Sequence, residues 1–596
     1  MCGILAQINR DVQIDTAVFD KMRDTMTHRG PDGFGTMVLH DGRVAFGHRR
    51  LSIIDLSTDG KQPMSNEDGQ VWITFNGEVY NFQSLRDQLI RCGHIFRSKT
   101  DTEVLIHGYE EWGIEGLLER LKGMYAFVIW DGVQRKIHAA RDRFGIKPMV
   151  YSYDGKQLVF ASEIKAIAAN PAFEKELSEE SLADFFTYSY VPYHLTIYKQ
   201  AYKLPPAHYM TFDMSSFQFE VKSYWNLETA SLEIDPKEAA ERTHELIRQS
   251  TREHLIADVP VGLFLSGGYD SGTLLMHMHD LGYKANAYTI GFEDSEQSEH
   301  NQAASMAGLF GADHIVDMVS PQMDIFSMLH RMSYYYDEPF AASSMVNTFM
   351  ISQMAARHCK VVLSGEGADE VFAGYKWHHK INNYYRNFSV KDRLRNIREG
   401  LLTSKDVYLR LYDRSMTGVL REATGKKVLD ADITATMKER GLWHFGQFYQ
   451  QGMDVVKQCQ YIDAFTFVPN HCLWRADISS MAHSLEVRVP FMDHEIYSYV
   501  FSLHRSVYFR EKSKKFLIEE NLKSRVPESI LNMPKRGFSF QHLGHIFDDR
   551  FYELLADGEL IRRGLLKRTT DVRSLSDHFK LHLLNLEIWF QTHMRA

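Results

Sequence analysis

The spacing of apolar and polar positions changes character partway along the chain. Over roughly the first 210 residues, short apolar-rich segments flank Asp-Gly pairs at Asp41-Gly42, Asp68-Gly69, Asp131-Gly132 and Asp154-Gly155. Asp-Gly supplies the positive φ angles of tight hairpin turns, so this stretch predicts antiparallel β-structure. Helical spacing interrupts it at residues 17–26 and 82–92. Beyond about residue 235, short apolar runs at 261–265, 287–290, 314–318 and 360–363 alternate with helix-length segments. That alternation predicts βαβ units and a parallel sheet, with sites at the carboxyl ends of its strands. From residue 390 onward the pattern is mostly helical and rich in aromatic residues. The expected division is a first domain over residues 2–212, a linker over 213–237 and a second domain over 238–596, the boundary falling after the Pro205-Pro206 pair. Two domains also suit a chain of 596 residues, which exceeds the size at which one core stops growing.

Charge and composition narrow the function classes. Net charge is −9 with both signs interspersed and no long Lys/Arg block, which argues against nucleic-acid or anionic-membrane partners. The longest apolar stretches, such as residues 124–130, are far too short to cross a bilayer. The N-terminal residues lack a basic segment followed by a long apolar run, so no signal peptide is expected. Cys2, Cys92, Cys359, Cys459 and Cys472 are scattered without CxxC spacing. They fit neither a disulfide framework nor a cysteine zinc site and point to a reducing, cytoplasmic compartment.

Cys2 is the first candidate for chemistry. With Met1 removed it gains an α-amine of pKa about 7.7–8, a base placed beside its own thiol. Alone, a cysteine at position 2 could be incidental, but its company is specific. His28–Asp32 reads HRGPD, Arg50 begins RLSIID, Asn76-Gly77-Glu78 lies in FNGEVYN, and Asp101 lies in SKTDTEV. In this order the motifs resemble the class II glutamine amidotransferases. The resemblance implies a sandwich of two β-sheets between helices. It also implies that Cys2 attacks the glutamine amide to form a thioester, the oxyanion being held by the Asn76 side chain and the Gly77 N–H. Arg50, with Leu51 and Ile54 beside it, matches the pocket for the glutamine α-carboxylate, and Glu78 and Asp101 match the groups that receive its α-ammonium. Taken singly, Asn76-Gly77 could be a hairpin turn, Arg50 a surface arginine, Asp101 a helix N-cap and HRGPD a turn that shapes the region of the nucleophile.

The second half carries a phosphate loop. Residues 261–271 read VGLFLSGGYDS: a strand, then Ser266-Gly267-Gly268, then a helical segment. Paired glycines at a strand-to-helix turn let backbone N–H groups approach phosphate. No GxxxxGK[ST] occurs, so γ-phosphate transfer is not the expected chemistry. Downstream stand SGEGADEVFAGY at 364–375, SSMAHSLEVRVPFMD at 479–493 and PKRGF at 534–538. Together these resemble the synthetase domain of glutamine-dependent asparagine synthetases, which split ATP into AMP and pyrophosphate. The resemblance implies that Ser266, Gly267, Gly268 and Ser271 cradle the phosphates and that Asp270 and Asp369 hold Mg2+ on them. It also implies that Leu265, Ile290, Ser364 and Gly365 line the adenosine site. Glu366 is implied to position the acyl-adenylate or move a proton, and Lys535 and Arg488 to neutralise phosphate charge. The plainer alternatives are a solvated acidic loop for Glu366 and Asp369, a surface role for Lys535 and a structural ion pair for Arg488.

Joined, the two halves explain each other. A carboxylate carbon is a poor electrophile, and adenylation supplies AMP as a leaving group. Free ammonia is mostly ammonium at neutral pH, so generating it from glutamine within the chain, and passing it along an internal channel as the family implies, preserves a nucleophile. The expected substrates are glutamine, ATP and a carboxylate, aspartate foremost, and the resemblance allows for a homodimer. A sugar uronate or peptide carboxylate is the rival acceptor, and a glutamine-sensing protein with an inactive nucleotide domain is the alternative of another class. Four departures bear on this. Tyr269 and Gly272 stand in the phosphate loop where the family has an aliphatic residue and a serine. In DEPFAASSMVNT, Ala342 and Asn347 replace an acid and a proline near the acceptor end.

Overall fold

The computed structural model describes residues 2–293, 298–401, 403–416, 422, 428–510, 513, 515–531 and 546–594. In the first half, two six-stranded antiparallel sheets form. One runs in the order Ala201–Lys203, Val150–Tyr153, Gln157–Ala161, Gly3–Asn9, Val44–Arg50, Gly33–Leu39. The other runs Gln218–Ser223, His208–Asp213, Lys136–Arg141, Gly123–Asp131, Val71–Val79, Met64–Ser65. Alternation decides what each face meets. Ile4, Ala6, Ile8 and Phe46 of the first sheet pack against Ala126, Val128, Trp130 and Met210 of the second. Leu5 and Ala45 face outward onto Phe19 and Met22 of the helix Thr16–Asp24. Behind the other sheet, Ile73, Phe75 and Phe127 meet Leu85 of helix Phe82–Arg91 and Leu105 of helix Thr102–Arg120. The result is the expected αββα sandwich.

Local details depart from the sequence reading in instructive places. Gly42, Gly69 and Gly155 adopt φ of 85, 72 and 83°, as their Asp-Gly turns require, but after Asp131 the left-handed residue is Arg135. The strand Gln218–Ser223 pairs with His208–Asp213, so the first sheet system continues past residue 212 into the expected linker. Helix Pro236–His254 then opens the second half, with Asp235 accepting from the N–H groups of Lys237 and Glu238 and Pro236 at a position that needs no donor.

The second half holds a five-stranded parallel sheet in the order Asp313–Val319, Asn286–Phe292, Val261–Phe264, Val361–Leu363, Glu486–Arg488. Four of these strands follow the apolar runs, and the fifth comes from EVR within the 479–493 motif. Strand order reverses between Val261–Phe264 and Val361–Leu363, which opens a crevice at their carboxyl ends. The loops Ser266–Gly268 and Ser364–Gly367 emerge into it. Around the sheet the chain is helical, as the pattern predicts. Among the described residues, no helix is long and apolar enough to cross a membrane.

Buried charge joins the halves. Arg29, without solvent exposure, pairs with Glu163 at 2.9 Å and with Asp477 of the second half at 2.9 Å. Lys165 pairs with Asp337 at 3.0 Å, Lys203 with Glu338 at 2.5 Å and Lys122 with Asp493 at 3.1 Å. Removing one partner of such a pair costs about 3–5 kcal/mol, because the other charge stays desolvated. Asp477→Leu is therefore expected to lower the thermal midpoint of the whole chain, with Arg29→Met/Asp477→Leu recovering part of the loss. Calorimetry checks this, and an unchanged midpoint in the single variant would overturn the role given to Asp477.

Candidate active sites

The first site is built where both sheets end. Cys2 directly precedes the strand Gly3–Asn9, and its backbone N–H donates to Asn76 Oδ1 at 2.9 Å. That bond orients the Asn76 amide and leaves its buried Nδ2 without a hydrogen-bond partner. An unsatisfied buried donor costs roughly 1–3 kcal/mol. Beside a nucleophile it is a donor held ready for developing negative charge. Gly77 follows in the same strand at φ +152°, where an added Cβ would lie 2.1 Å from the Met124 carbonyl oxygen, so only glycine fits. Burial pushes the Cys2 thiol up, with the Leu51 N–H and the Arg50 cation acting against it, so the resting group is a thiol that needs a base.

The substrate-binding candidates surround it. Arg50, at the end of strand Val44–Arg50, donates to the carbonyls of Ser57 (2.9 Å) and Asp55, which fix its guanidinium. Asp55 in turn accepts from the Lys99 N–H at 2.9 Å. Leu51 is buried and Ile54 is half-buried against the core. Asp101 does not cap the helix Thr102–Arg120; its Oδ2 instead accepts from the Val79 N–H at 2.9 Å, which draws it toward Glu78 on the neighbouring strand. Burial raises Asp101 to about 6, and burial followed by the Glu486 charge raises Glu78 well above the carboxylate range. A buried acidic pair of this kind suits an incoming ammonium. HRGPD does more than turn the chain: Arg29 Nε donates to the Cys2 carbonyl at 3.1 Å, and Ser484 Oγ donates to the His28 carbonyl at 2.6 Å.

The second site is a cavity of about 880 Å³ at the strand-order reversal. Leu265, Ser266, Gly267, Gly268, Asp270, Ser271, Ile290, Ser364 and Gly365 all line it, together with Glu366 and Asp369. Ser266 N–H donates to Ser271 Oγ at 3.1 Å, which curls the loop over the start of helix Tyr269–Asp280. Gly267 sits at φ +73°, where a Cβ would come within 2.7 Å of the Ala303 nitrogen. Two cations that the sequence reading did not single out meet the predicted acids. Lys515 Nζ bonds Asp270 Oδ1 and lies 2.9 Å from Asp369 Oδ1. Burial would lower this lysine, but the two carboxylates outweigh that and hold it charged. Arg475 bonds Glu366 and, at 2.7 Å, Ser344 Oγ. The carboxylates of Asp270 and Asp369 beside the phosphate loop are the hard oxygen donors that Mg2+ takes. Lys535 lies outside the described residues.

Arg488 is placed elsewhere than expected. It ends the three-residue strand Glu486–Arg488, in which Val487 lines the nucleotide cavity. By alternation its neighbours project from the opposite face. The Arg488 guanidinium bonds Glu486 at 2.6 Å and the His254 and Ile256 carbonyls at 2.8 and 2.7 Å, and lies 3.3 Å from Glu78. The reading of Arg488 as a phosphate ligand is thus corrected: it is an ion-pair partner behind the glutamine site. Ala342 and Asn347 do line the cavity, and Asn347 Oδ1 is buried without a hydrogen-bond partner. Asp337 and Glu338, from the same motif, are spent on Lys165 and Lys203.

The raised carboxyl of Asp101 has a pH consequence. A native pKa raised to about 6 means that the folded chain holds a proton which the unfolded chain releases near pH 4, so this group's contribution to stability declines as pH rises from 4 to 6. An ammonium ligand requires the ionised form. The kcat/KM for glutamine hydrolysis is therefore expected to fall about tenfold per pH unit below 6. Asp101→Asn should depress the plateau and abolish that limb in a pH–rate profile; an unshifted limb in the variant would assign it to another group.

Comparison with known proteins gives the family of each half. Residues 1–225 match the model of a glutamine amidotransferase domain, and residues 242–594 match that of asparagine synthase. Asparagine synthetase [glutamine-hydrolyzing] 1 of Bacillus subtilis is 30% identical over 571 residues, covering 90% of this chain and 87% of that protein. A putative asparagine synthetase [glutamine-hydrolyzing] of Mycobacterium tuberculosis is 32% identical over 581 residues, covering 90% and 87%. The amidase chry2 of Gibberella zeae is 28% identical over 613 residues, covering 90% and 88%. The chain belongs to the asparagine synthase family of ATP-dependent, glutamine-hydrolysing ligases.

Proposed function

We propose that the chain converts L-aspartate, L-glutamine, ATP and water to L-asparagine, L-glutamate, AMP and diphosphate. The observation that carries aspartate as acceptor is Asn347: a buried, unpartnered carbonyl oxygen on the wall of the nucleotide cavity. Such an acceptor suits the α-ammonium of an amino acid. In the first site, Cys2 attacks the glutamine amide carbon, its proton passing to its own α-amine once Met1 is removed. The Asn76 Nδ2 and the Gly77 N–H stabilise the oxyanion, ammonia leaves with the proton, and water releases glutamate from the thioester. In the second, the aspartate side-chain carboxylate attacks the α-phosphorus of ATP and diphosphate departs. Ammonia then displaces AMP from the acyl-adenylate. Asp270 and Asp369 would hold Mg2+, which would balance phosphate charge there. Lys515, which pairs with both acids, is the cation placed to neutralise phosphate charge beside them.

A second reading rests on Ala342. Where the family pattern has an acid, this cavity wall has a methyl group, which leaves room for a larger carboxylate such as a uronate or a peptide end. Incubating untagged protein with glutamine, ATP and magnesium, with and without aspartate, separates the two. Asparagine forming one-for-one with AMP supports the first; glutamate forming without aspartate-dependent AMP supports the second.

Two variants test the division of labour. Cys2→Ala is expected to lose glutamine-dependent synthesis while keeping synthesis from ammonia; loss of both would make Cys2 structural. Lys515→Met is expected to lower AMP formation by about 10²–10³, as removal of a positioned charge-stabilising group does, and to leave glutamine hydrolysis intact.

A further inference from the structure

A cluster remote from the nucleophile and the nucleotide cavity has the geometry of a metal site. His94 lies just beyond the helix Phe82–Arg91, while His107 and Glu110 share one face of the helix Thr102–Arg120. His94 Nδ1 and His107 Nδ1 face each other at 3.2 Å. Glu110 Oε2 lies 3.0 Å from His107 Nδ1 and 4.0 Å from His94 Nδ1. In a tetrahedral zinc site with ligands at about 2.0–2.1 Å, neighbouring donors stand roughly 3.3 Å apart. The three separations bracket that edge. Two ring nitrogens and a carboxylate oxygen therefore converge on one point.

The surroundings match the shell that orients such ligands. A ligating histidine typically gives its other nitrogen to a carboxylate, which fixes the ring. His94 Nε2 lies 3.3 Å from Glu111 Oε2, and His107 Nε2 lies 3.8 Å from Glu103 and 3.9 Å from Glu67. The other oxygen of Glu110 accepts from Asn66 Nδ2 at 2.7 Å, which leaves Oε2 turned to the histidines. His94 and Glu110 are partly exposed, so a fourth position is open to water. Imidazole with carboxylate suits zinc-class divalent ions rather than Mg2+ or Ca2+, which take oxygen.

We infer that His94, His107 and Glu110 bind one zinc-class divalent cation, which staples the loop before Asp101 to the helix after it. The loop is already tied on both sides. Glu103 accepts from the N–H groups of Arg97 and Ser98, each at 2.8 Å, and Lys99 N–H donates to Asp55, the neighbour that fixes Arg50. A metal at His94 adds a third tie, from the start of this loop to the helix, so it stiffens the glutamine pocket from behind without touching glutamine. This inference stands independently of which carboxylate is the acceptor.

The test strips the full chain with a chelator and re-equilibrates it by dialysis against Zn2+ alone. Bound metal is counted by mass spectrometry in the wild type and in His94→Gln/Glu110→Gln. One more zinc per chain in the wild type is expected, with a zinc-dependent rise in thermal midpoint that the double variant lacks. The cysteine thiols are common to both proteins and cancel. Glu111→Gln keeps all three ligands and is expected to weaken zinc by about tenfold or more, as loss of an orienting carboxylate does. Equal zinc content in wild type and double variant, with no zinc-dependent midpoint difference, would overturn the site and leave a hydrogen-bonded trio.

Discussion

The structure depends on a guanidinium that cannot be solvated. Arg29 is fully buried, and moving such a cation out of water costs several kcal/mol unless carboxylates and hydrogen bonds replace the solvent. Burial alone would depress it, but Asp477 and Glu163 outweigh that and hold it firmly charged. One of these acids belongs to each half of the chain, and the third partner is the carbonyl of Cys2. The nucleophile's backbone, the amidotransferase sheets and the synthetase domain are thus fastened at one cation. Neither half satisfies Arg29 alone, so a proper glutamine site presupposes the docked second domain.

Arg488 extends the same logic toward ATP. Its guanidinium lies 3.3 Å from Glu78, the candidate ammonium partner in the first half, and its carbonyl accepts from the Ser364 N–H at 2.8 Å, at the head of a loop that lines the large cavity. One residue therefore borders both chemistries through different atoms. Glu78 in the first half and the Ser364 backbone at the cavity thus both rest on one strand only three residues long.

Much of this was legible in the sequence, and the exceptions have physical causes. Short apolar-rich segments beside Asp-Gly turns showed antiparallel β-structure, the resemblance supplied its division into two sheets, and four of five parallel strands follow apolar runs. Of the helix Thr102–Arg120 the sequence showed the start, as the helix that Asp101 would cap, but not the length, because residues 102–109 are buried all round and Gly113 kinks it, so it shows no single apolar stripe. Phosphate-loop residues were readable because glycine spacing reflects local backbone need. Lys515 was not: it sits in a lysine-rich run that looks like a solvated surface, and only the fold brings it between Asp270 and Asp369. Arg475 was missed for another reason: it shares a buried helix with Asp477, Ser479 and Ser480, and nothing in that run marks which polar residue meets Glu366. Arg488 was misplaced because motif position carries no information about which face of a strand a side chain takes.

The three-residue strand also constrains how this chain can change. Side chains in a strand alternate, so a shift of one residue turns every side chain to the other face. Here such a slip would carry Val487 out of the nucleotide cavity and bring the carboxylate of Glu486 or the cation of Arg488 to its wall. The same slip would strip Glu78 of its counter-ion. Single-residue insertions or deletions between the helix Leu473–Met481 and this strand are therefore far less tolerable than substitutions there, and length in that connector is fixed more tightly than identity.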